Sequence, residues 1–292
     1  MSKQLTHSQE IERSIIKKYR KELWAPFLTA INRYDLINEG DRIAVCISGG
    51  KDSMCMAEML MMLQRHSDRH FDLVYIVMDP GYNTANRAAI EANLKTLEIP
   101  AKVFETNIFA VADSYEKKPC YLCARMRRGH LYNKAQELGC NKIALGHHLN
   151  DAIETALMSM FWSSKLETII PKARSEHFKD LELIRPMYCV HEDSIKAWAR
   201  YNDLHFIQCA CRFTADTADT VSESKRQEAK LLIRELKKEN PDIEDNMFRA
   251  LHAVHLKCFP GYVLDGDKHS FNEYYEEPDK DIPNPFKNEE TH

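Results

Sequence analysis

The chain has 292 residues, 44% hydrophobic and 29% charged, with a formal net charge of −4. This composition fits a soluble globular protein of one large α/β domain with helical additions, or of two domains; no apolar run approaches the ~20 residues that span a bilayer. Charge is unevenly spread: from Asp265 onward nine acidic residues face three lysines, so that stretch carries −6 and the remainder +2.

In chain order, Thr6 and Gln9 have capping-box spacing, and Ile11, Ile15, Tyr19 and Leu23 recur on one helical face, with Pro26 ending or kinking that helix. A second helix over 27–34 leads to the turn Asn38-Glu39-Gly40-Asp41 and a strand over 42–47. Strands over 71–78, 101–105 and 142–145 then alternate with helices over 54–63, 85–97, 120–138 and 149–162. Such alternation predicts parallel pairing, right-handed crossovers and a ligand rim at the carboxyl ends of the strands. The polar stretch 172–182 reads as a loop or hairpin, 192–201 as a helix, 205–208 as a short strand, and 221–238 and 246–255 as helices. The acidic stretch from Asp265, poor in aliphatics, reads as a mobile tail. The domain expectation is an N-terminal helical segment over 1–36, an α/β domain over 37–212, C-terminal helices over 213–264 and the tail over 265–292. The N-terminal residues carry no signal-peptide pattern, so the expected location is cytoplasmic.

The most informative stretch is Ser48-Gly49-Gly50-Lys51-Asp52-Ser53, between the 42–47 strand and a helix. A glycine turn at a helix start cradles phosphate: glycines let the backbone approach, and free N–H groups and the helix dipole favour the anion. Lys51 adds a point charge, and the spacing is not that of a Walker A loop. The string resembles the PP-loop of ATP pyrophosphatases, which split ATP into AMP and pyrophosphate. Gly146-His147-His148-Leu149-Asn150-Asp151 should lie beside it on the rim. Asp151 there could hold Mg²⁺ or orient a base, and His147 could donate to phosphate; a simple helix N-cap by Asn150 or Asp151 is the plainer alternative. Asp79-Pro80-Gly81 either flanks the nucleoside or makes a tight turn. Arg125, Arg127 and Arg128 suit phosphates or a solvated helix face.

Nine cysteines without a secretion signal do not suggest a disulfide framework. Cys46, Cys55, Cys140 and Cys189 read as small buried hydrophobes. Cys120 and Cys123 form a C-x-x-C at a helix start, compatible with zinc, a redox dithiol or coincidence. Zinc would want four ligands, and the remaining pair is Cys209-Ala210-Cys211, whose thiols cannot easily share one metal. One of that pair with Cys120 and Cys123 gives three thiolates, which suits a [4Fe–4S] cluster with one open iron.

Glu39 to Arg42, Ser48 to Ser53, Cys120 to Gly129, Ile143 to Asp151 and Ile184-Arg185-Pro186 stand in an order that resembles the tRNA-cytidine 2-sulfurtransferases of TtcA type, over about Ile11 to His255. The resemblance implies a doubly wound parallel sheet of the PP-loop, adenine nucleotide alpha hydrolase-like kind. It implies ATP and Mg²⁺, a [4Fe–4S] cluster on Cys120, Cys123 and Cys209 (Cys211 as alternative), tRNA as substrate, and a sulfur donor, either a cysteine desulfurase or free sulfide. A homodimer is an option and a membrane partner is not expected. The reaction implied is adenylation of a pyrimidine C2 oxygen, then sulfur insertion. The nucleotide-site residues are Ser48, Gly49, Gly50, Lys51, Asp52, Ser53, Asp79, Gly146 and His147, and the catalytic set is Lys51, Arg127 and Asp151. Asn150 stands where that family commonly has an acid. The competing readings are a 2-thiouridine-type thiolase, a lysidine-type tRNA ligase without sulfur chemistry, and a nucleotide-binding redox sensor.

Overall fold

The computed structural model describes residues 5–113, 119–175, 178, 180–207, 225–273 and 275. They divide into two compact units, Met1–Glu244 and Asp245–His292.

The first unit opens with α1 (His7–Lys17), where the capping box forms: Gln9 N donates to Thr6 Oγ1 at 3.3 Å and Thr6 N to Gln9 Oε1 at 3.0 Å. Ile11, Ile15 and Leu23 are buried as their spacing predicts. A π-helical turn (Arg20–Trp24) follows, then α2 (Ala25–Arg33) with Pro26 in its first turn. The proline therefore starts a helix instead of ending one, because its missing N–H is no loss there.

Six strands make the central sheet: β1 (Arg42–Ile47), β2 (Asp72–Asp79), β3 (Lys102–Glu105), β4 (Lys142–Ala144), β5 (Lys172–Arg174) and β6 (Glu182–Ile184). Their spatial order is β3-β2-β1-β4-β6-β5. All neighbours are parallel except β5, which runs antiparallel to β6 at the edge. The hairpin reading of 172–182 thus gains a second strand that also joins β4. Ile43 to Ile47 are all buried, as a strand covered on both faces requires. Of the helices α3 (Lys51–His66), α4 (Thr84–Thr96), α5 (Ile108–Asp113), α6 (Pro119–Glu137), α7 (Leu149–Trp162) and α8 (Glu192–Tyr201), α3 packs on β1 and β2. Its Met54, Met56, Met59 and Met62 are core residues. On one face of the sheet, Tyr132 and Ala135 of α6 pack with Ala44, Cys46, Val74, Ile76 and Ile143. Burial pushes the Cys46 thiol up to about 12, which keeps it an inert core group.

β1 pairs with β2 on one side and β4 on the other, so the chain reverses its winding direction there. In such sheets the crevice outside the carboxyl ends of those two strands is the ligand position. His205 to Ile207 form no strand; instead Asn93 Nδ2 donates to His205 O at 2.8 Å and pins the segment to α4. The unit closes with α9 (Lys225–Glu239). Then α10 (Ile243–Ala250) leads into the second unit, where β7 (Gly261–Leu264) and β8 (Asp267–Ser270) pair antiparallel. Asp265 and Gly266 form their turn with positive φ, so the first residues of the expected tail belong to a hairpin. Among the described residues no helix is long and apolar enough to cross a membrane.

Candidate active site

β1 ends at Ile47 and delivers the chain into the glycine turn. Gly49 has φ +85°, and a Cβ there would sit 2.6 Å from Ile90 Cγ1 and 2.8 Å from Ile207 Cδ1. Only glycine satisfies both the torsion and the space. Gly50 is the N-cap of the 16-residue α3 and makes no side-chain cap bond. The first N–H groups of α3 are thus offered to an anion by the backbone itself. Ser53 Oγ braces the loop: it accepts from Ser48 N at 3.1 Å, donates to Gly50 O at 3.0 Å and lies 3.1 Å from Ser48 Oγ.

Lys51 Nζ lies between two carboxylates, 3.1 Å from Asp52 Oδ2 and 2.9 Å from Glu192 Oε1. Burial would lower its pKa, but Asp52 and Glu192 outweigh that and raise it. Glu192 is likewise opposed by burial, yet its bonds to Lys196 and Lys51 hold it down at about 2. Both groups are charged at neutral pH.

The loop after β4 touches this turn. A Cβ on Gly146 would meet Ser53 N at 3.1 Å and Asp52 C at 3.2 Å, so the absent side chain lets the two loops pack backbone to backbone. His148 is the N-cap of α7: Asp151 N donates to its Nδ1 at 3.3 Å, and His148 N donates to Asp151 Oδ2 at 3.0 Å. The cap is a histidine, where sequence pointed to Asn150 or Asp151. Arg226 Nη1, from α9, donates to the other Asp151 oxygen at 2.7 Å. Burial pushes Asp151 up, and His148, with its N–H, His147 and Arg226, more than reverses this. Burial pushes His147 down to about 4, so it is a neutral imidazole, and its Nδ1 has no partner among the described residues. Asp52 Oδ1 is also buried without a hydrogen bond, 3.7 Å from His148 Nε2.

Asp79 takes the turn role. Its Oδ1 accepts from Gly81 N at 2.8 Å and Tyr82 N at 2.7 Å, and its Oδ2 from Arg87 at 2.6 Å. Tyr82 Oη then donates to Ser48 O at 3.4 Å, which ties this turn to the glycine loop.

Cys123 lies in the first part of α6, buried with Met78, Ile108 and Phe109. Met78 is the penultimate residue of β2, so the thiol is at the carboxyl end of the sheet. Cys120 is one helical turn earlier, with its side chain outside the described residues; Cys209 and Cys211 also lie outside them. Ile207, two positions before Cys209, abuts Gly49 as noted. Arg127, four residues after Cys123, is half-buried, whereas Arg125 and Arg128 are exposed. Arg185, just past β6, is half-buried; its Nη1 donates to Ile170 O, and its Nε has no partner among the described residues.

Sequence reading missed Glu192, Glu154 and Arg226. Glu154 is 2% exposed, on α7, with Arg226 Nη1 at 3.6 Å and Lys230 Nζ at 3.7 Å. Burial raises it to about 7. Asn150 bridges two of these elements: its Nδ2 donates to Glu244 Oε1 at 2.8 Å, and its Oδ1 accepts from Glu192 N at 2.9 Å. A charged residue at the start of a helix, as Glu192 is, gives no local signal that distinguishes it from dipole compensation.

Comparison with known proteins agrees with this geometry. The PP-loop domain model matches residues 14–212. A tRNA-cytidine(32) 2-sulfurtransferase of Anaeromyxobacter dehalogenans (strain 2CP-C) is 34% identical, across 87% of this chain and 85% of that protein. One from Syntrophotalea carbinolica is 35% identical across 83% and 91%. Among solved structures, the U34-tRNA thiolase NcsA from Methanococcus maripaludis, determined with its [4Fe–4S] cluster, shares the fold. It has a TM-score of 0.62 at 20% identity, covering 86% of this chain and 81% of its own. With a phosphate-loop crevice at the sheet's reversal point and matches of this extent, the chain belongs to the PP-loop domain family and, within it, to the tRNA-cytidine 2-sulfurtransferases.

Proposed function

We propose that this protein is an ATP-dependent tRNA thiolase that replaces the C2 oxygen of a pyrimidine, cytidine in the anticodon loop, with sulfur. The observation that supports this most is a shared rim: the glycine loop follows β1, and Cys123 packs against the end of β2. Anion cradle and thiol therefore open at the same end of one sheet.

The C2 oxygen attacks the α-phosphorus of ATP and pyrophosphate departs. Lys51 and the N–H groups of α3 take up the charge that develops on it. AMP then leaves C2 as sulfur takes its place. Asp151, ionised and fixed by His148 and Arg226, orients the base; His147, neutral, has a ring nitrogen to offer phosphate; Arg127 is a further phosphate contact. Both Asp151 oxygens are already engaged, so they do not suit Mg²⁺ as arranged. The apolar shell of Cys123 fits an iron–sulfur cluster, whose potential and stability depend on burial. Cys120, Cys123 and Cys209, with Cys211 as the alternative third ligand, would hold it, and when bound it supplies the sulfur nucleophile. The target base must be unstacked to reach the crevice, as single-stranded RNA targets commonly are. The sulfur comes from a cysteine desulfurase or free sulfide, and the protein works in the cytoplasm.

The test is mass spectrometry of tRNA nucleosides after incubation of anaerobically purified protein with tRNA, ATP and each sulfur source. The protein should carry about four irons per chain and form 2-thiocytidine only with ATP. Cys123→Ala should lose iron and thiolation while ATP affinity is kept. Iron-free protein that still thiolates would remove the cluster; pyrophosphate release without any thionucleoside would remove sulfur transfer.

A further inference from the structure

We propose that Glu192 is a positioning residue for Lys51, holding its ammonium group at the phosphate loop through a carboxylate that is itself clamped from behind. The inference rests on the reading of Ser48 to Ser53 as a nucleotide-phosphate site.

Lysine is a point charge on a flexible four-carbon stem, and nothing in the stem aims it. In this protein the aim comes from α8. Glu192 is the first residue of α8, and its side chain is only 13% exposed. Its backbone N–H is fixed by Asn150 Oδ1 at 2.9 Å. Its Oε2 lies 2.9 Å from Lys196 Nζ and 3.8 Å from Lys230 Nζ. Those contacts leave Oε1 turned to Lys51 at 2.9 Å. The carboxylate thus has a backbone anchor and two rear cations, and presents one oxygen forward. Asp52 Oδ2 is the other carboxylate oxygen on Lys51. Without Glu192 the ammonium would collapse onto that adjacent residue, along the first turn of α3, and its approach to an incoming phosphate would be lost. A glutamate beside a phosphate site also repels the ligand. The rear cations Lys196 and Lys230 offset that repulsion, which is why a carboxylate is tolerated there.

A residue that acts through Lys51 leaves a distinct signature: its effect vanishes when Lys51 is gone. ATP affinity is measured by calorimetric titration for the wild type, Glu192→Ala, Glu192→Gln, Lys51→Ala and Lys51→Ala/Glu192→Ala, with thermal melts to confirm folding. Glu192→Ala should weaken ATP about tenfold, equivalent to about 1.4 kcal/mol. Glu192→Gln, which keeps an acceptor oxygen, should stay within about threefold. The double variant should bind no more weakly than Lys51→Ala alone. Equal losses in both backgrounds, an unchanged Glu192→Ala, or a Glu192→Gln as impaired as the alanine would each overturn the proposal. Wild-type protein that binds ATP but thiolates no tRNA would remove the thiolase reading while the Glu192 cycle still stands or falls by itself.

Discussion

The glycine loop and the charged layer formed by α7, α8, α9 and Glu244 meet at one rim yet are built by opposite means. The loop is local: six consecutive residues, a torsion only glycine tolerates and a helix start make the proposed anion site out of backbone. The charged layer is assembled from positions 150, 151, 154, 192, 226, 230 and 244, and works only through side chains that meet in space. A backbone site breaks through sterics. A side-chain network breaks through charge, and so through pH.

The largest effect should come from the loop. Gly49→Ala places a methyl against Ile90 and Ile207 at a positive φ. Strain and overpacking together should cost about 2–5 kcal/mol, seen as a lower denaturation midpoint with loss of ATP binding. A variant of wild-type stability would show the loop to be adaptable, and the contrast would fail. Next is Asn150→Asp. The acceptor for Glu192 N survives, but a carboxylate replaces the amide donor facing Glu244. The expected cost is about 1–3 kcal/mol, relieved by adding Glu244→Gln. An Asn150→Asp protein as stable as the wild type would show that Glu244 does not depend on this amide. The smallest effect at pH 5 should be Glu154→Gln, and it sharpens the comparison by its pH dependence. Burial raises the Glu154 carboxyl from 4.5 to about 7 in the folded protein. Below pH 4.5 both states are protonated. As pH rises through the window up to about 7, the unfolded state ionises first and the folded state loses stability. Glu154→Gln has no such loss, so its stability relative to wild type should climb between pH 5 and pH 8. A flat difference across that range would mean that Lys230 and Arg226 fully compensate the charge.

The same division explains what sequence made legible. β1, the glycine loop and α3 follow from an apolar run, two glycines and a helical pattern within 42–66. α7 and α8 were expected over the residues they occupy, because each has a clear apolar pattern and polar flanks. His205 to Ile207 looked like a strand because His-Phe-Ile is β-prone, but the segment's backbone is engaged by Asn93, which no local pattern announces. β8 escaped notice because Asp267 to Ser270 is polar on both faces and pairs only with its hairpin partner. At the site, Asp79 was recognised as a turn former or a nucleoside contact, and the structure shows the turn. Glu192, Glu154 and Arg226 were invisible for a single reason: apart from Lys196, their partners stand 38 to 141 positions away, from Lys230–Glu192 to Lys51–Glu192, beyond the reach of any local spacing.

The close approach of Ile90 and Ile207 to Gly49 has a practical outcome. Two isoleucine methyl groups abut the turn proposed to receive the anion. In isotope-labelled protein their resonances form a built-in sensor pair, one on α4 and one on the strand-free segment just before Cys209. Titrating nucleotide should shift both signals together, giving a spectroscopic readout of loop occupancy that needs neither turnover nor iron.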